Sequence, residues 1–215
     1  MAKTALLAGS TGLIGGQLLD LLLKNGDYAN VITISRKPLP ISNPKLVSVV
    51  CELSDLSTHR DELKADDVFC CLGTTIKKAK SKEAFRAVDL DAPVLLAKIS
   101  KEQGAQKFLL VSSLGANKNS GIFYNQVKGE VEEAIRLVGF NCFHVFRPSL
   151  LLGPRQEERA GEDAAKFFYK VFGFLVPKKY QAIESATVAK AMFQLAASSQ
   201  SGVFIHESNQ IRDLE

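Results

Sequence analysis

The turn Gly9-Ser10-Thr11-Gly12-Leu13-Ile14-Gly15 constrains this chain more than any other stretch, because it joins the apolar run at residues 4–8 to the leucine-rich residues 17–23. A short apolar run, closely spaced glycines and then a helical repeat is the order in which a buried strand passes a phosphate onto a helix N-terminus. Gly9 allows a tight turn, Gly12 lets backbone N–H groups approach a pyrophosphate, and Gly15 allows close packing of the helix on the strand. The spacing predicts a dinucleotide site lined by these seven residues.

Downstream residues fall where such a fold places its ligand contacts. A second strand at residues 30–35 ends in Arg36-Lys37, where a carboxylate would favour NAD and a basic residue accommodates the phosphate of NADP. Two adjacent cations also suit an ordinary exposed loop, but their position relative to the glycine turn makes NADP the expected cofactor. A third strand at 46–51 runs into Glu52-Leu53, suited to the adenine amino group and ring, or equally to an ordinary strand-to-loop transition. A fourth, at residues 67–71, closes on Cys71 and runs into Leu72-Gly73-Thr74-Thr75, where small residues at a strand's carboxyl end would line a ligand crevice. Lys77, Lys78, Lys80 and Lys82 then read as a solvated loop face, with steering of a phosphate as the lesser alternative. The apolar spacing of residues 81–103 predicts a long helix that Pro93 bends or breaks.

With 215 residues, 46% of them apolar, the chain suits one α/β domain. No apolar stretch has the length of a membrane span and no signal-peptide pattern opens the chain, so a cytoplasmic location is expected. Cys51, Cys70, Cys71 and Cys142 lack C-x-x-C spacing and read as reduced thiols, and His59, His144 and His206 lack ligand spacing, so no metal is expected. The net charge of +4 reads as modest and spread out, which suits an anionic cofactor better than nucleic acid.

Chemistry enters with Tyr124 and Lys128, four residues apart and thus on one helix face. A neighbouring cation stabilises a phenolate and makes Tyr124 a usable proton donor and acceptor. Ser112 or Ser113, at the end of the strand at 107–111, offers a hydroxyl to a substrate carbonyl.

Taken together, Gly9-x-x-Gly12-x-x-Gly15, the strand-end serine and Tyr124-x-x-x-Lys128 resemble the short-chain dehydrogenase/reductase superfamily. More narrowly, residues 71–75, 111–116, 124–130 and 146–155 are similar to its atypical, NAD(P)H-binding branch, which includes the HIV Tat-interacting oxidoreductase-like proteins and small bacterial relatives. The resemblance implies an α/β, Rossmann-like, doubly wound and mostly parallel sheet, a single domain with a small substrate region from about residue 150. It also implies NADPH in the crevice and hydride transfer to or from a small carbonyl or alcohol. By the same resemblance Tyr124 is the general acid, Lys128 tunes it and binds the nicotinamide ribose, Ser112 orients the carbonyl with Ser113 as the alternative, and Pro148 borders the nicotinamide. The better-known enzymes carry a structural asparagine with no obvious counterpart here, which keeps open an NADPH-binding sensor or regulatory interaction protein. The aromatic crowding at residues 162–176 suits core, a homodimer or protein-partner interface, or a pocket roof.

Overall fold

The apolar runs become seven parallel strands of one sheet in the computed structural model, which describes residues 3–153 and 177–214. In chain order these are β1 (Lys3–Ala8), β2 (Tyr28–Ser35), β3 (Leu46–Val50), β4 (Asp67–Cys70), β5 (Lys107–Val111), β6 (Cys142–Arg147) and β9 (Gly202–Glu207). Between the last two, β7 (Leu151–Leu152) and β8 (Ile183–Glu184) form a separate parallel pair. The spatial order is β3-β2-β1-β4-β5-β6-β9, so strand order reverses between β1 and β4. Ligands of open α/β sheets bind at that reversal, outside the carboxyl ends of the strands.

Both faces of the sheet are covered, which is why its strands are apolar on both sides rather than alternating. Leu6, Val68, Phe108 and Val145 pack against α4 (Ala92–Glu102) and α5 (Phe123–Val138). Leu7, Phe69, Leu109 and Phe146 pack on the other side against α1 (Leu13–Lys24) and the helix Ser185–Ala196. At the amino ends of the strands, the Tyr28 hydroxyl donates to Asp67 at 2.8 Å and Lys3 pairs with Asp67 at 3.0 Å. The site is thus left to the opposite, carboxyl end.

The doubly wound expectation holds, and two local readings change. The long helix expected over residues 81–103 forms as one continuous helical run made of α3 (Lys82–Arg86), a π-helical turn at Ala87–Asp91, and α4, and its irregularity falls at Pro93 as expected. The π-helical turn stands immediately before the residue that lacks a backbone N–H. The lysine-rich loop contains one helical turn, α2 (Ile76–Ala79), capped by the Thr75 hydroxyl, which accepts from the Lys78 N–H. The spacing of Val188, Ala191, Met192 and Leu195 predicts a helix over residues 183–197; it starts at Ser185, because Ile183 and Glu184 pair with β7. The aromatic run 162–176, together with Pro154 and Arg155, lies outside the described residues. All four cysteines are free. Among the described residues no helix is long and apolar enough to cross a membrane, and no group of three His, Cys, Asp or Glu side chains could hold a metal ion.

A buried polar pair joins the last two strands of the sheet. The His144 and His206 rings stack, with Nδ1 of His144 2.9 Å from Nε2 of His206 and the Cys142 sulfur 3.1 Å from the other His144 nitrogen. Burial, with His206 and Lys107 nearby, lowers His144 from 6.5 to about 4. Protons therefore bind the unfolded chain first as pH falls, and stability should drop between about pH 6.5 and 4 by roughly 3 kcal/mol, then level off for this group. Urea unfolding at several pH values measures the drop, and His144→Phe should shrink it to the part left by His206, which burial also lowers. A wild-type stability unchanged from pH 7 to 5 would refute the assignment.

Candidate active site

At the carboxyl end of β1 the glycine turn has the shape its spacing predicts. Gly9 adopts φ +86°, and a side chain there would meet the Cys71 carbonyl at 2.5 Å. The Gly12 N–H closes the turn onto the Gly9 carbonyl at 3.0 Å. Gly15 packs on the turn itself, since its Cβ would lie 2.1 Å from the Gly9 oxygen. Leu13 and Ile14 open α1, whose N-terminus has no side-chain cap and no acid in its first turn. Thr11 is exposed, whereas Ser10 is buried with a hydroxyl that lacks a hydrogen-bond partner in the protein. An orphaned buried hydroxyl beside free helix N–H groups fits a pyrophosphate.

Two neighbouring strand ends flank this turn. β2 runs parallel to β1 with Ala8 opposite Ile34, so exposed Arg36 and Lys37 leave the sheet beside the glycine turn. The Cys51 N–H donates to Ser35 at 3.1 Å, which brings exposed Glu52 and half-buried Leu53 to the same rim. On the other flank the Cys71 N–H donates to the Ala8 carbonyl at 2.8 Å, and Leu72, Gly73 and Thr74 continue across the strand ends.

Beneath Gly73 lies a buried ion pair: Lys128 Nζ is 2.8 Å from Asp89 Oδ1, and both side chains are nearly inaccessible to solvent. Asp89 Oδ2 also accepts the Thr74 N–H at 2.8 Å. A Cβ on Gly73 would sit 3.5 Å from the carboxylate and 3.7 Å from the ammonium, so the crevice loop rests directly on the pair. Burial pushes the Lys128 ammonium down, but Asp89, with Tyr124 behind it, outweighs burial and holds it above the ordinary lysine value. Tyr124, one turn earlier on α5, is half-buried, its ring 5.7 Å from that of Phe85. The sequence reading of a lone cation beside a phenol was incomplete. The cation comes with its counter-ion, and a pair projects a weaker field than a single charge.

The two serines at the end of β5 differ in what they face. Ser112 is buried and its hydroxyl donates to Glu132, which also receives Arg147 through Nε at 3.0 Å and Nη2 at 2.5 Å. Ser113 is half-buried, with a long 3.3 Å bond to the Leu114 carbonyl. Buried Pro148 accepts the Leu114 N–H at 3.0 Å, tying the segment after β6 to the serine loop.

Sequence reasoning missed Asp89, Glu132 and Arg147. Signals existed for the two acids. Phe85, Asp89 and Ala92 follow the inward stripe of the helical run, and Glu132 continues the four-residue steps of Tyr124 and Lys128. A carboxylate on an inward stripe needs a buried partner. Arg147, at a strand end, gave no such signal.

Comparison with known proteins assigns this arrangement to a family. A family model described as NAD(P)H-binding matches residues 9–198. The chain belongs to that NAD(P)H-binding family. Protein HTATIP2 of Rattus norvegicus is 37% identical over 207 residues, covering 93% of this chain and 84% of that protein. The mitochondrial protein fmp52 of Emericella nidulans is 35% identical over 182 residues, covering 80% of this chain and 77% of its own. Among solved structures, the Bordetella bronchiseptica enzyme WbmH in complex with NAD+ superposes with a TM-score of 0.76 at 16% identity, covering 100% of this chain and 79% of that one. That likeness carries the fold. The relatives bear out the resemblance to the atypical branch of the short-chain dehydrogenase/reductases, and NAD(P)H binding is the family's shared property.

Proposed function

We propose that this protein is an NADP-dependent oxidoreductase acting on a small carbonyl or alcohol. The observation that carries the reading is that the Lys128–Asp89 pair sits under Gly73 and Thr74, at the same sheet end as the glycine turn, with Tyr124 one helical turn before Lys128 on α5. When bound, NADPH supplies the hydride. The chain's residues do the rest: the turn from Gly9 to Gly15, with Ser10, holds the pyrophosphate. Arg36 and Lys37 face the adenosine phosphate, Glu52 and Leu53 border the adenine, and Cys71 to Thr74 with Pro148 wall the nicotinamide end. Lys128, whose ammonium has donors left over from its pair with Asp89, would reach the ribose past Gly73, which carries no side chain. Tyr124 gives its proton to the carbonyl oxygen, a transfer worth roughly 10²–10⁴-fold.

In this mechanism Ser113, not Ser112, orients the carbonyl. Ser112 already donates its proton to Glu132, whereas the long Ser113 bond is easily exchanged for a substrate oxygen. The pairing of Lys128 with Asp89 favours a second reading, an NADPH-binding sensor, because it weakens the field at Tyr124. One experiment separates the two. The purified protein is incubated with NADPH and a panel of aldehydes, ketones and quinones, and cofactor absorbance is followed. An oxidoreductase consumes NADPH with some member; a sensor shows only the buffer rate throughout. A cytoplasmic location is part of the proposal and stands against fungal relatives named as mitochondrial.

Cofactor choice has its own test. A charged hydrogen bond to a phosphate contributes about 1.5–3 kcal/mol, so NADPH should bind roughly tenfold to a hundredfold more tightly than NADH. Arg36→Asp should narrow or reverse that gap in a fluorescence titration. Equal affinities in the native protein would sink the NADP assignment.

A further inference from the structure

The chain's positive excess is not spread over its surface. Between Lys77 and Arg86 stand five cations and one carboxylate, an excess equal to the +4 of the whole chain. Arg86 is paired with Glu130 at 2.8 Å, and Glu83 is drawn to its own backbone N–H and to Ser81, which hold it below the usual glutamate range. Lys77, Lys80 and Lys82 are exposed on the turn that follows the crevice loop. Lys82 Nζ lies 5.2 Å from the centre of the Phe123 ring, beside Tyr124, and Phe85 from the same segment packs on both rings. Lys82 therefore stands beside the Phe123–Tyr124 end of α5, with Lys77 and Lys80 on the exposed turn just before it.

Lys80 adds an independent observation. Its φ of +67° makes it the one non-glycine residue with positive φ among the described residues, at the C-cap of α2. Glycine or asparagine fills such a cap without strain, whereas a longer L-residue is strained there. Residues held in such a conformation cluster at ligand clamps and active sites.

We propose that this lysine rim selects an anionic substrate, a carbonyl compound whose carboxylate or phosphate lies away from the reacting carbon. The word substrate rests on the oxidoreductase reading; the anion preference does not. Clustered charge at a crevice mouth raises the local concentration of counter-charged ligand, and salt screens the effect.

The test uses protein saturated with NADPH, so that the cofactor's own charge is constant, and two matched pairs: succinic semialdehyde against butyraldehyde, and glyceraldehyde phosphate against glyceraldehyde. At low salt the anionic members should show a KM about tenfold lower, shrinking toward parity at high salt. Lys77→Gln/Lys80→Gln/Lys82→Gln should abolish the difference and leave the neutral compounds unchanged. Preference in one pair alone would tell carboxylate from phosphate. Lys80→Gly should weaken the preference while leaving Tm no lower than wild type, which a merely structural lysine would not do. If no compound consumes NADPH, the oxidoreductase reading fails, and binding of the same anions, followed by the fluorescence of bound NADPH, decides the rim. Salt-sensitive binding lost in the triple variant supports it. No binding, no salt dependence, a triple variant that loses only NADPH affinity, or capture of an oligonucleotide without preference among small anions overturns it.

Discussion

Tyr124→Phe should cut NADPH-dependent turnover by roughly 10²–10⁴-fold, the usual contribution of a positioned general acid. The substitution removes one oxygen and keeps the ring that packs 5.7 Å from Phe85, so the fold has no reason to move. NADPH affinity should barely change, because the ribose contact is assigned to Lys128. The cofactor dissociation constant and kcat measured on the same preparation therefore separate proton donation from binding. Ser113→Ala should lower kcat by a smaller factor, and Ser112→Ala should act through stability, since it releases Glu132 from a buried hydrogen bond. Turnover that survives Tyr124→Phe unchanged would refute the proton-donor role while leaving the dinucleotide site intact. A larger loss from Ser112→Ala than from Ser113→Ala at equal stability would return the carbonyl contact to Ser112.

The parts of this molecule legible in the sequence are those in which one local rule decides the outcome. Gly9 and Gly15 could be placed because a left-handed φ and a 2.1 Å approach exclude a side chain whatever surrounds them. The strands could be placed because burial on both faces gives continuous apolar runs, and β5 was found with both ends correct. Tyr124 and Lys128 could be put on one face from helical spacing alone. What spacing does not encode is which groups meet across elements. Asp89 reaches Lys128 only because the π-helical turn before Pro93 and helix α5 converge under Gly73, and neither segment announces the other. The same limit explains the serines. Adjacent residues point in opposite directions, and only the position of Glu132 and Arg147 fixes which hydroxyl is already used. The charge distribution was misjudged for a simpler reason: a net value of +4 says nothing of where the excess lies.

The Asp89–Lys128 pair carries the other large expected effect, this time on stability. Both groups are out of water, with side-chain exposures of 0% and 6%, so removing either partner strands a charge in the interior. Breaking a buried pair from one side costs about 3–5 kcal/mol, a large share of the roughly 5–15 kcal/mol that holds a domain folded. Asp89→Asn keeps the shape and an oxygen for the Thr74 N–H, so its cost isolates the lost charge. Lys128→Met removes the other charge and keeps much of the stem. The double variant should lose much less stability than the sum of the two single losses, because replacing both charges together leaves nothing unpaired. Urea unfolding of the four proteins gives the coupling directly, with a coupling above about 2 kcal/mol expected and simple additivity counting against a true pair. The same variants bear on function. Asp89→Asn unmasks the ammonium beneath Gly73 and strengthens the field at Tyr124, which favours the phenolate, so among molecules that remain folded NADPH-dependent turnover, which needs the phenol protonated, should fall off at a lower pH on the alkaline side than in the wild type. Since the ion pair, not the lone cation, distinguishes this site from the simplest reading of its motif, a pH–rate profile unchanged by Asp89→Asn would show that the pair acts on the fold alone.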